Sequence, residues 1–171
     1  MTSLVRSAGL ALWSAAAMTL GDWIWAVLSL RHRTPYGLAH GTLLCLWMGL
    51  YLGWIGQRVA IGAIGGAAIG FLAAGSFYAL APLVGYSAMF ASYMLLWFGL
   101  MAVAEYALSG RVKGAGWALR GVFAAIASAA AFYAVSGIWM NPPRPPNYLW
   151  NFTAWTIAFL PGAVAMLWGR K

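Results

Sequence analysis

Residues 59–104 read VAIGAIGGAAIGFLAAGSFYALAPLVGYSAMFASYMLLWFGLMAVA, with no Lys, Arg, Asp or Glu. A helix needs about 20 residues to cross about 30 Å of hydrocarbon. The stretch is too long for one span and long enough for two. Within it, Ala81-Pro82-Leu83-Val84-Gly85-Tyr86 supplies a break, because proline and glycine end helices and form turns. The reading predicts helices near 60–80 and 87–108 joined by a tight turn.

The same punctuation works outward from there. The windows 34–57, 121–143 and 145–169 are also free of charged side chains. With the apolar segment after Arg6, they give six helices near 8–30, 36–56, 60–80, 87–108, 117–138 and 148–168. The chain has 171 residues, of which 64% are hydrophobic and 7% charged. A soluble domain carries roughly a quarter charged residues. An all-α integral membrane protein with a single six-span domain, and no soluble catalytic domain, is the expected class. Arg6 ahead of Ala15-Ala16-Ala17 has the outline of a secretory signal. The apolar run continues through Trp23, Ile24, Trp25 and Leu30, however, so the segment is expected to stay as the first span.

The net charge of +8 reports topology, not nucleic acid. Arg6, Arg58, Arg111, Lys113, Arg120, Arg170 and Lys171 fall on one side of a six-span arrangement, and Arg31, Arg33 and Arg144 on the other. The excess of basic residues in short loops marks the cytoplasmic side. Both termini are therefore expected in the cytoplasm, the protein in the cell inner (plasma) membrane, and the lipid bilayer as its first partner. Asn141-Pro142-Pro143-Arg144-Pro145-Pro146-Asn147 reads as a rigid extended connector on the opposite side.

The even-numbered spans align with one another. Tyr36 through Leu50 matches Tyr86 through Leu100 without gaps, sharing Tyr36/Tyr86, Leu46/Leu96, Trp47/Trp97, Gly49/Gly99 and Leu50/Leu100. The last span adds Phe152 opposite Phe90, Trp155 opposite Tyr93, Phe159 opposite Trp97 and Pro161 opposite Gly99. Among the odd spans, Gly75-Ser76-Phe77-Tyr78 aligns with Ala130-Ala131-Phe132-Tyr133 and with Gly21-Asp22-Trp23-Ile24. Gly62, Gly66, Gly70 and Ala74 form a small-residue stripe suited to close helix packing. The pattern predicts three tandem hairpins, about 8–56, 60–108 and 117–168, around a pseudo-threefold axis that is either a cavity or packed shut.

Chemistry specific to this chain should lie where one repeat departs from the others. Asp22 stands where the others have Ser76 and Ala131, and His40 where they have Phe90 and Phe152. From the expected helix ends, Asp22 lies about 12 Å deep and His40 about 6 Å. A carboxylate inside the bilayer costs about 2.5 kcal/mol or more, so Asp22 must face the bundle, water or a partner. It is the leading binding candidate, and His40, which changes charge near neutral pH, is the second. The competing role is structural: an Asp22–His40 pair that locks the first hairpin, or a protonated Asp22 hydrogen-bonded to backbone. Arg31, Arg33, Tyr36 and Asn151 gather at the same end and complete a candidate polar site for a small anionic or amphipathic ligand.

Other chemistry is missing from the sequence. Two His, one Cys, one Asp and one Glu, widely dispersed, do not make a metal site. No nucleophile elbow, phosphate-binding loop or dinucleotide motif occurs, and no catalytic residue or cofactor is assigned. In size, span count and cytoplasmic termini the chain resembles the substrate-binding subunits of energy-coupling-factor vitamin transporters. Ala11 and Ala15 give the Ala-x-x-x-Ala spacing of their first helix. The resemblance implies a small-molecule binding or transport component. Two other readings stand beside it: a non-catalytic structural subunit or assembly factor packed against other membrane subunits, and a small membrane enzyme or quinone or lipid binder.

Overall fold

The computed structural model describes residues 2–28, 34–140 and 147–169. Arg31, Arg33 and the proline-rich stretch 141–146 lie outside them. The elements are α1 (Ser3–Val27), α2 (Thr34–Ile55), α3 (Val59–Val84), α4 (Ala88–Ser109), α5 (Gly116–Met140) and α6 (Tyr148–Leu167), with a short 3₁₀ turn at Gly85–Ser87. No strand occurs among the described residues. All six helices are long and apolar enough to cross a membrane, as a multi-pass membrane protein requires.

Two boundaries differ from the sequence reading. The first helix starts five residues earlier, at Ser3, because the Thr2 hydroxyl accepts the Val5 N–H at 3.4 Å and caps it. The third helix runs through Pro82 instead of stopping before it. Proline removes one N–H donor, and in the last turn that affects a single carbonyl. The chain turns three residues later at Gly85, whose φ of 61° suits glycine.

Each helix packs against its neighbours in chain order, and α1 also packs closely on α6, which closes the bundle into a ring. α2 and α3 make the most intimate pair. A Cβ on Gly49 would overlap the Gly62 carbonyl oxygen, one on Gly66 the Cys45 carbonyl, and one on Gly70 the Gly41 carbonyl. The predicted small-residue stripe is thus a backbone-to-backbone seam. α1 and α2 are held differently, by Trp13 and Trp47. Their rings stack at 4.2 Å, while each indole N–H donates to the other residue's carbonyl, at 2.8 and 3.1 Å. Trp47 is therefore half-exposed, whereas its aligned partner Trp97 is fully buried.

The exterior is as apolar as the interior. Leu43, Ile64, Phe123 and Leu119 point outward, while Trp97, Trp155, Phe132 and Phe159 fill the inside. Ala11 and Ala15 are completely buried within the bundle.

At the end of the bundle that carries the termini, arginines close helix ends. The Arg58 guanidinium donates to the carbonyls of Ala107 at 2.9 Å and Tyr106 at 3.4 Å. Arg120 donates to the Trp168 carbonyl at 2.7 Å. A cation on the last carbonyls of a helix complements its dipole.

Candidate functional site

Towards the opposite end, the bundle forms a half-open cavity of about 270 Å³. Five of the six helices line it: Met18 and Asp22 from α1, His40, Leu44 and Cys45 from α2, Phe77 and Tyr78 from α3, Ser92, Tyr93 and Leu96 from α4, and Trp155 and Phe159 from α6. Only α5 contributes no residue to this wall among the described residues.

Asp22 and His40, singled out by sequence as departures from the repeat, both lie in this wall. α1 ends at Val27 and α2 begins at Thr34. At 1.5 Å per residue, that sets Asp22 about 7.5 Å and His40 about 9 Å from their helix ends. The two depths are closer than the sequence reading gave.

Asp22 is anchored from across the bundle. The Trp155 indole N–H donates to its Oδ2 at 3.0 Å. Trp155 is itself almost fully buried and stacked between Phe132, at 5.6 Å, and Phe159, at 5.4 Å, with both rings within 23° of parallel. A rigid aromatic column thus holds the donor. The bond ties α1 to α6 at the cavity.

His40 is positioned by close contact. Its Nε2 lies 3.1 Å from the Met18 Sδ. A thioether carries no hydrogen and can only accept, so the contact is a hydrogen bond in the ring forms that carry a proton on Nε2. The imidazole lies directly over Gly21, where a Cβ would overlap the ring. The Tyr78 hydroxyl takes the same position over Gly37, and that glycine lets α3 reach the α2 backbone.

The serines in this region are occupied. Ser76 and Ser92 both donate to the Ala73 carbonyl, at 2.7 and 2.8 Å, and lie 3.2 Å from each other. They bind α3 to α4. The polarity of the wall therefore concentrates on Asp22, His40 and the tyrosines, in a lining that is otherwise aliphatic, aromatic and thioether.

The remaining sequence candidates are not brought into the wall. Tyr36 is exposed near the start of α2, and Asn151 is half-buried on the first turn of α6. Arg31 and Arg33 lie outside the described residues. Sequence reasoning missed Trp155 as the partner of Asp22. The signal was its alignment with Tyr93, which marks two large aromatics carrying a polar atom at equivalent places, both of them in the cavity wall. No group of three or more His, Cys, Asp or Glu that could hold a metal occurs among the described residues.

No protein-family model, no curated protein and no solved structure matches this chain.

Proposed function

We propose that this is a multi-pass inner-membrane protein that binds a small amphipathic molecule in the cavity, as a binding or transport component. The observation that carries the reading is an apolar cavity with Asp22 in its wall, held by the buried Trp155 N–H. Ligand sites are mostly apolar concavities with a few fixed polar groups, and a carboxylate at membrane depth calls for a functional or structural partner. Asp22 and His40 are the binding residues in this account. Tyr36 and Asn151 stand at the cavity end of their helices, and Arg31 and Arg33 stay in the account as candidates read from the sequence.

The charge asymmetry supports cytoplasmic termini, so that the cavity faces outward.

The test is mass spectrometry of small molecules retained on purification, comparing wild type with Asp22→Asn, His40→Phe and the cavity-filling Leu96→Trp. Loss of a retained molecule from variants that keep wild-type thermal stability is the expected result. Retention unchanged in all three refutes the reading.

A further inference from the structure

α1 and α2 follow one another in the chain but meet sparsely, whereas α3 packs closely on α4 and α5 on α6. α1 leans on α6 instead. Side chains span the space between α1 and α2. From the terminal end outward, the Tyr51 hydroxyl lies over Gly9 and donates to the Arg6 carbonyl at 3.0 Å. Trp13 and Trp47 then stack, and beyond them the His40 imidazole lies over Gly21 with Nε2 3.1 Å from the Met18 Sδ. Tyr51, Trp47 and His40 are spaced four and seven apart on α2, so they share one helix face.

The first two of these crosspieces lie nearer the termini than any described lining residue of α1 or α2, while His40 and Met18 are themselves in the cavity wall. At that level the seam and the wall coincide. Met18 and Asp22 line the cavity from α1, and Gly37, His40, Gly41 and Leu44 from α2. On the same stretches Leu20, Ile24 and Leu43 are exposed on the outside, where a membrane presents hydrocarbon. One layer of side chains therefore parts the cavity from lipid.

The other walls are braced. α2 meets α3 backbone to backbone at Gly66 and Gly70, Ser76 and Ser92 bind α3 to α4, and Trp155 is stacked between Phe132 and Phe159 on the α6 side. The His40–Met18 contact ends on a thioether, a weak acceptor on an unbranched side chain with three rotatable bonds. This wall opens by side-chain rotation alone. A molecule passing here comes from hydrocarbon, where a charge is costly to carry.

Resting on the binding function proposed above, we infer that the cavity draws its ligand from the membrane through the seam between α1 and α2, with His40 and Met18 as the yielding partition, and that the ligand is a small uncharged amphipathic molecule. Of the anionic and amphipathic ligands that the sequence leaves open, this route admits the second. The volume of about 270 Å³ lies just below the drug-sized range of about 300–1,000 Å³ and suits a single ring or short branched chain.

Carbene footprinting of the protein in liposomes tests this with two single-ring probes. Phenyl(trifluoromethyl)diazirine dissolves in the bilayer, and its para-sulfonate, added on both faces, stays in water. The expected result is insertion of the uncharged probe at Leu44 and Phe159, which are buried in the wall, and none by the sulfonate. Met18→Ala should raise this labelling about threefold or more, since a thinner partition populates a minor open state. Labelling of lipid-facing Ile64, and of Trp97, buried away from the wall, should not change. His40→Ala should act in the same way and stands in if Met18→Ala does not fold. Cavity labelling by the sulfonate, or labelling by the uncharged probe that neither variant raises, overturns entry through the seam and leaves the binding cavity standing. If neither probe labels the cavity, entry through the seam falls, and if Leu96→Trp also alters no small-molecule retention, the binding reading falls with it.

Discussion

The bond from Trp155 to Asp22 gives the account its most quantitative handle. Trp155→Phe keeps a six-membered ring in the column between Phe132 and Phe159 and deletes the donor that lies 3.0 Å from Oδ2. Asp22→Leu deletes the acceptor and keeps the branching and number of side-chain heavy atoms, with two methyls in place of the two oxygens. Each single change also alters packing, so only the coupling in a double-mutant cycle isolates the bond. Hydrogen bonds to charged groups contribute about 1.5–3 kcal/mol in soluble proteins. Interhelical bonds in a membrane protein average only about 0.6 kcal/mol and reach about 1.7 at most. Trp155 is almost fully buried and its acceptor is a carboxyl oxygen, which places this bond at the upper end of the membrane range, about 1.5 kcal/mol. Reversible unfolding in mixed SDS micelles measures all four proteins of the cycle. Additivity to within about 0.5 kcal/mol would refute the argument that Trp155 anchors the carboxylate.

Three further outcomes follow from the packing. Gly66→Ala drives a Cβ into the Cys45 carbonyl and should cost about 1–3 kcal/mol of stability, whereas Gly75→Ala, whose nearest neighbour is Leu38 Cδ2 at 3.9 Å, should be neutral or gain about 0.5 kcal/mol; thermal unfolding of the two variants side by side reads the difference. Arg58→Met and Arg120→Met each remove a cation from helix-end carbonyls, and SDS unfolding should show losses of about 1 kcal/mol, similar for the two. Cys45 is fully buried and reached only through the cavity, so intact-mass analysis should find it unalkylated by a polyethylene glycol maleimide, too bulky to enter, in the folded protein and fully alkylated after SDS denaturation.

Much of this arrangement is written locally in the chain. Six spans follow from where charges are absent, and the seam between α2 and α3 follows from Gly62, Gly66 and Gly70, since only small residues permit such contact. Asp22 and His40 stood out because charge inside a membrane is costly and the aligned helices lack it. What lay beyond reach was contact between distant segments. Trp155 and Asp22 are 133 residues apart, and no pattern of spacing says which of eleven tryptophans turns its N–H inward. The helix through Pro82 was missed for a related reason. A proline's cost depends on its position in the final helix, and the real stop is the backbone geometry at Gly85. Trp47 and Trp97 mark the same limit: aligned in sequence, they face outward and inward because Trp13 offers a stacking partner to only one of them.

The claim on which everything rests is that the cavity admits and holds a small molecule. Mass spectrometry of the small molecules retained by wild-type protein and by Leu96→Trp, purified in the same detergent, tests it most directly. The account predicts a molecule retained by wild type and lost when the tryptophan fills the cavity while thermal stability is kept. Equal retention by both proteins would contradict it.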